Sequence, residues 1–193
     1  MRHLSSLLII LVTFSGAVSQ SPKPDSVASI SSYAKTIERL TINKSKRRIF
    51  ADISSGYENG PEDWKEFRSE KERKKAETDG NMNQTAAVWT KNGKPVVAKL
   101  ALTSPSGDWM HFVNYYYRED GTLAKIQAQL NTFYGNVSVV REQYFQSSGK
   151  VIRSTTRYLD LHTRKPVRKP KDFFDQEVPV HKTVSELPFA KLL

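Results

Sequence analysis

The chain has 193 residues, and its 30 Lys and Arg against 20 Asp and Glu give a formal net charge of +10 at pH 7. A chain of this length is typical of one domain. The absence of Cys excludes a disulfide framework, a thiolate metal site and a cysteine nucleophile. No apolar run approaches the roughly 18 residues of a membrane-spanning helix, so we expect no transmembrane anchor.

The first residues have the pattern of a secretory signal peptide. Arg2 and His3 form a weakly basic start, residues 4–14 are mostly apolar, and Ala17 and Ser19 are small residues at the positions that precede a cleavage site. The sequence therefore predicts a signal peptide over residues 1–19 and an exported protein, periplasmic or secreted. A buried N-terminal helix is the alternative interpretation.

The first half of the mature chain has the patterns of two helices. Apolar residues in steps of three and four from Val27 to Leu40 predict an amphipathic helix over 26–41. The basic run at 44–48 predicts a solvated connection. Pro61, followed by two acidic residues, predicts the start of a second, mostly exposed helix over 61–77, and residues 79–81 would end it.

The second half contains a repeat of glycines. Gly93, Gly107, Gly121, Gly135 and Gly149 are each 14 residues apart, and alternate members follow Asn92, Asp120 and Ser148 in the pattern of two-residue hairpin turns. The repeat predicts a six-stranded antiparallel meander with strands at about 84–91, 94–103, 109–119, 122–133, 137–147 and 150–160.

The turns also predict which residues pair across strands. A two-residue turn at 120–121 places Tyr117 opposite Ala124 and His111 opposite Leu130. The same reasoning at all three turns gathers most apolar residues on one core face, namely Ala87, Trp89, Val96, Ala98, Leu100, Leu102, Trp109, Val113, Tyr115, Tyr117, Ile126, Ala128, Val137, Val139, Phe145, Ile152 and Tyr158.

These elements predict an α+β domain over residues 20–160, with N-terminal helices followed by the meander at about 84–160. Because an apolar sheet face must be covered, we expect the sheet to curve around the first helix as a half-barrel. The outline is similar to cystatin-like and NTF2-like folds, and the hairpins punctuated by glycine resemble MORN-type β-repeats. Residues 161–193 form a basic, Pro-containing C-terminal tail whose apolar residues, including Leu187 and Phe189, can dock back on the domain.

Polar residues on the predicted core face indicate a pocket. Because an unpaired buried charge is costly, the cation on this face, Arg141, needs a partner or a ligand. We predict a site for a small organic anion, lined by His111, Trp109, Tyr115, Tyr117, Arg141, Gln143 and Tyr158. Arg141 could anchor the anion, pair with a carboxylate inside the fold or lie exposed at a sheet edge, and the exposed position is the expectation.

A second candidate site is the basic segment after the last strand. Its residues Arg164, Lys165, Arg168, Lys169 and Lys171 lie among prolines that favour an extended chain. Such a segment attracts anionic surfaces, and the alternative is that it only aids solubility. It lacks interleaved aromatic residues, so we expect no specific nucleic-acid recognition.

The function predicted from these features is non-enzymatic binding of a ligand, an envelope component or a partner protein. A small NTF2-like pocket enzyme with His111 as general base is the alternative, although the core faces of the strands offer no carboxylate to orient that imidazole. A purely structural envelope protein is the third option. The histidines are scattered and no nucleotide-binding or metal motif is present, so we expect no cofactor and no metal.

Overall fold

The structure is a computed structural model that describes residues 26–54, 61–78, 82–171, 173 and 175–193. The predicted signal peptide and the turn residues at 79–81 lie outside the described residues. The described chain has two α-helices, α1 (Val27–Glu38) and α2 (Glu70–Thr78). In these residues no helix has the length and apolar character needed to cross a membrane.

The sheet is open, antiparallel and eight-stranded, in the order β2-β1-β3-β4-β5-β6-β7-β8. Its strands are β1 (Arg47–Asp52), β2 (Trp64–Phe67), β3 (Gln84–Lys91), β4 (Lys94–Thr103), β5 (Trp109–Tyr117), β6 (Leu123–Thr132), β7 (Val137–Phe145) and β8 (Val151–Asp160). The prediction of an α+β fold with six consecutive antiparallel strands from β3 to β8 is confirmed, but the total of six strands is wrong because β1 and β2 extend the sheet.

Strands β1 and β2 lie where the sequence predicted a connection and the start of a helix. The predicted connection at 44–48 is a single 3-10 turn, Lys44–Lys46, followed at once by β1. The predicted helix over 61–77 is wrong in its first part, where β2 lies. Ser69 starts α2 instead, because its hydroxyl accepts a hydrogen bond from the Glu72 backbone N–H at 3.1 Å.

The predicted register between β5 and β6 is confirmed from Trp109 opposite Thr132 to Tyr116 opposite Lys125. It fails at the turn, where Tyr117 pairs with Leu123 and leaves Ala124 as the extra residue of a β-bulge. The 118–122 turn has a three-residue loop, since the Arg118 N–H donates to the Thr122 carbonyl at 2.8 Å.

Equivalent bulges occur at the other two hairpins. The extra residues, read from the strand pairing, are Val96, Ala124 and Ile152, which are 28 residues apart. Because a bulge shifts a strand by one residue, Val88 occupies the core face where Trp89 was predicted. The glycine repeat is therefore also a repeat of bulges.

Helix α1 does not lie on the predicted core face, so the expectation that this face curves around it is wrong. Its buried residues Ile30, Ala34 and Ile37 pack on the opposite face, with Val96 in one cluster and Ala124 in another. Here α1 covers the row of bulge residues at one end of the sheet.

The core face is covered by the end of the chain, residues 175–193, which we call the C-terminal strap. Leu187 and Phe189 are buried among residues of β1 and β3–β7, and the Phe189 ring stacks on Phe50 with centroids 4.8 Å apart. The predicted docking of these two C-terminal residues is confirmed, and their burial makes the strap part of the main core.

Candidate functional site

The strap crosses the place where the sequence predicts a pocket. The Tyr115 hydroxyl donates to the Pro179 carbonyl at 2.8 Å, and the Tyr117 hydroxyl donates to the His181 carbonyl at 3.2 Å. Both rings are fully buried, and burial raises the pKa of both phenols. These two tyrosines hold the strap on the sheet.

Arg141 is bound by the strap. Its guanidinium forms an ion pair with Asp175 and donates to the Gln176 carbonyl at 2.9 Å. Tyr158 donates its hydroxyl to the same Asp175 carboxylate at 3.2 Å. The Arg141 side chain is only 14% exposed, so the expectation of an exposed edge position is wrong and pairing inside the fold is the observed arrangement. Its charge is therefore compensated.

His111 lies in the core face of β5 and is 3% exposed. It lines a hollow of about 460 Å³, which we call the strap hollow. Its Nε2 atom is buried and has no hydrogen-bond partner among the described residues. Burial, together with the positive charge of Arg141, lowers the pKa of His111 to about 4, although Asp175 acts in the opposite direction. The imidazole is therefore neutral at pH 7.

The predicted pocket residues do not line one cavity. Trp109 and His111 line the strap hollow with residues of the strap, whereas Arg141 and Gln143 line a second hollow on its other side. Tyr115 and Tyr117 line neither of them. The strap thus divides the predicted site, and ligand binding by these residues stays a prediction.

The predicted basic segment is held against the edge of the sheet. The Asp160 N–H donates to the Lys165 carbonyl at 2.8 Å, and the Val167 N–H donates to the Tyr158 carbonyl at 2.9 Å, so the chain runs back along β8. Phe173 is buried beyond it in a cluster with residues of β6 and β7. All five predicted cations of the segment are exposed: Arg164, Lys165, Arg168, Lys169 and Lys171.

The ion pairs of the described residues lie elsewhere in the fold. The ion pairs use seven cations, all outside residues 150–171: Arg47, Arg48, Arg73, Lys91, Lys99, Lys125 and Arg141. In the described part of the chain, no ion pair involves a cation between Lys150 and Lys171. The cations of this edge are therefore free of direct ion pairs within the described residues, and Asp160 is the acidic residue among them.

A further groove lies on the helix face and was not found from the sequence. It has a volume of about 320 Å³ and is lined at one end by Arg47, Glu70 and Arg73, with Trp89 and Phe112 among its other walls. Arg47 and Arg73 both bind Glu70, at 2.9 and 2.7 Å. The groove depends on β1, which brings Arg47 beside α2, and the charged sequence at 44–48 does not indicate this strand.

No family model matches this chain, and no curated protein or solved structure matches it either. The residues that the structure describes contain no group of three or more His, Asp or Glu that could hold a metal ion. The function is therefore argued from the charge, burial and hydrogen bonding of the surfaces described above.

Proposed function

We propose that this is an exported, non-catalytic protein that binds an anionic polysaccharide of the cell envelope. The binding site is the basic surface formed by β8 and the segment after it, with the residues Lys150, Arg153, Arg157, Arg164, Lys165, Arg168, Lys169 and Lys171. The observation that carries the proposal is that these cations are all exposed and have no ion pair within the described chain, where every ion pair uses a cation outside this surface.

The arrangement of this surface favours a long ligand over a small one. Arg153 and Arg157 point to the same sheet face and are about 13 Å apart along the strand, at roughly 3.3 Å per residue. Lys165 pairs back on the end of the same strand. Cations spread along an edge match charges that repeat along an extended polymer.

The test is retention on immobilised heparin, a sulfated polysaccharide, in a salt gradient. Replacing Arg164, Lys165, Arg168 and Lys169 by Gln should move elution to clearly lower salt, because exposed charges act through a screened field. The matched control replaces the exposed Lys44, Lys46, Lys71 and Lys74 by Gln, which removes the same net charge elsewhere. Equal shifts for both variants would contradict a localised site.

A comparison of two ligands distinguishes a polysaccharide from a lipid surface. Sedimentation with vesicles of anionic phospholipid should be weaker than binding to soluble heparin at equal salt. Binding to vesicles alone would contradict the polysaccharide assignment. Export is tested separately by N-terminal sequencing of the secreted protein, which should begin near Gln20.

A pocket enzyme with His111 as general base is the second candidate. The observation in its favour is that Asp175 lines the same hollow as His111, so the strap supplies a carboxylate that the strands lack. However, Asp175 already binds Arg141 and Tyr158, and an imidazole with a pKa of about 4 is a weak base at neutral pH. Turnover of an activated ester that is lost in His111→Gln and kept in His162→Gln would support catalysis.

A further inference from the structure

We propose that the strap hollow binds a small organic amine, held between Trp109, His111 and Glu177. The site is built from strands β4 and β5 on one side and from the strap on the other. It is separate from the basic surface, and its ligand has the opposite charge to the polymer proposed above.

The size and walls of the strap hollow suit a small molecule. Its volume of about 460 Å³ lies within the range of roughly 300–1,000 Å³ that is usual for small-molecule sites. Leu102, Trp109 and Pro179 give it mostly apolar walls, and the Trp109 ring is half-buried. The hydrocarbon part of a ligand would lie against these side chains.

The charge of the lining favours a cation. Asp175 and Glu177 line the hollow, and no Lys or Arg does. Asp175 is compensated by Arg141, but Glu177 is exposed and has no ion pair within the described residues. The anion site predicted from the sequence requires Arg141 to be unpaired, whereas Asp175 of the strap pairs with it.

His111 supplies a hydrogen-bonding position inside the hollow. Within the described residues the Nε2 atom of His111 has no hydrogen-bond partner, and because it is closed to solvent it does not face the hollow. The side chain lines the hollow, and in a neutral imidazole protonated at Nε2 the other ring nitrogen, Nδ1, has a lone pair that can accept a hydrogen bond from an ammonium N–H. A second N–H would reach the Glu177 carboxylate, and the Trp109 ring is the aromatic side chain that best attracts a cation.

The ligand class is tested with three probes of similar shape, phenethylamine, 2-phenylethanol and 3-phenylpropionate, by calorimetric titration at pH 7. The Trp109 indole N–H signal in NMR spectra identifies the site. We expect the amine to bind about tenfold more tightly than the alcohol, as a cation–π contact and a carboxylate together allow, and the carboxylate probe to bind most weakly. Equal binding of amine and alcohol, or tighter binding of the carboxylate, would overturn the proposal.

Variants of the lining test the position of the ammonium group. Glu177→Gln changes an exposed residue and should weaken phenethylamine binding by about five- to tenfold without changing the melting temperature. Trp109→Ala should weaken it by a similar factor. Glu119→Gln, which removes the same charge from the β5–β6 turn, should bind as the parent protein does. Unchanged affinity in Glu177→Gln would overturn the proposal whatever the stability of the Trp109 variant.

Discussion

Arg141 on β7 and Asp175 on the strap form an ion pair that joins the sheet to the end of the chain. The pair lies between two hollows, and Tyr158 adds a hydrogen bond to the same carboxylate. The pair therefore fixes the strap on the sheet and compensates the cation of the predicted anion site.

Removing the Arg141 charge should destabilise the fold. Arg141→Met strands the Asp175 carboxylate, and we expect a loss of about 2 kcal/mol in the free energy of unfolding by urea. This is less than the roughly 3–5 kcal/mol of a fully buried pair, because the two side chains remain 14% and 22% exposed. The exposed control, Arg157→Met, should change stability by no more than about 0.5 kcal/mol. If Arg141→Met lowers the free energy of unfolding by the same amount when Asp175 has already been replaced by Asn, the ion pair contributes nothing to stability.

The strands from β3 to β8 were predictable because their turns and their apolar alternation are local features of the chain. The face of the sheet that α1 covers was not predictable. One bulge residue such as Ala124 reverses the faces of a strand, and the composition of the chain does not indicate a bulge. The partner of Arg141 could not be found because Asp175 lies in a segment with no regular structure. Nothing in the local sequence indicates that Phe189 rather than α1 meets Phe50.

The strap should be necessary for stability. Phe189 is 1% exposed and stacks on Phe50, so Phe189→Ala should lower the free energy of unfolding by about 3–5 kcal/mol. Leu192 is 36% exposed, and Leu192→Ala is the matched control with a much smaller expected effect. If urea unfolding shows equally small losses in the free energy of unfolding for both variants, the strap has no core role.

Two turn glycines should respond differently to a methyl group. Both Gly107 and Gly135 have positive φ, at 75° and 74°, so replacement by Ala strains either backbone by about 1 kcal/mol. Only at Gly135 would the added Cβ also meet a neighbour, the Pro170 Cγ atom at 3.1 Å. Gly135→Ala should therefore lose more stability than Gly107→Ala in thermal melts. It should also reduce retention on heparin, because Pro170 belongs to the basic segment. Identical melts would show that the segment does not pack on this turn.

The stability of the protein should fall in mild acid because of His111. Its pKa is about 4 in the folded protein against 6.5 for an unperturbed His, so the unfolded chain binds the proton more tightly. The stabilisation is complete above pH 6.5 and is lost as the pH falls towards 4. Between pH 7 and pH 4.5 this residue should account for roughly 2–3 kcal/mol of lost stability.

The contribution of His111 can be separated from that of His181, whose pKa is also lowered by burial. Urea unfolding of the parent protein and of His111→Gln, His181→Gln and His162→Gln at pH 7, 5.5 and 4.5 gives four pH profiles. His111→Gln should flatten the profile most and His181→Gln less, because a group whose proton affinity falls on folding contributes to the slope. His162→Gln is the control at an exposed position. A parent profile that is flat over this range, or one that His111→Gln leaves as steep as before, would show that folding does not lower the pKa of His111.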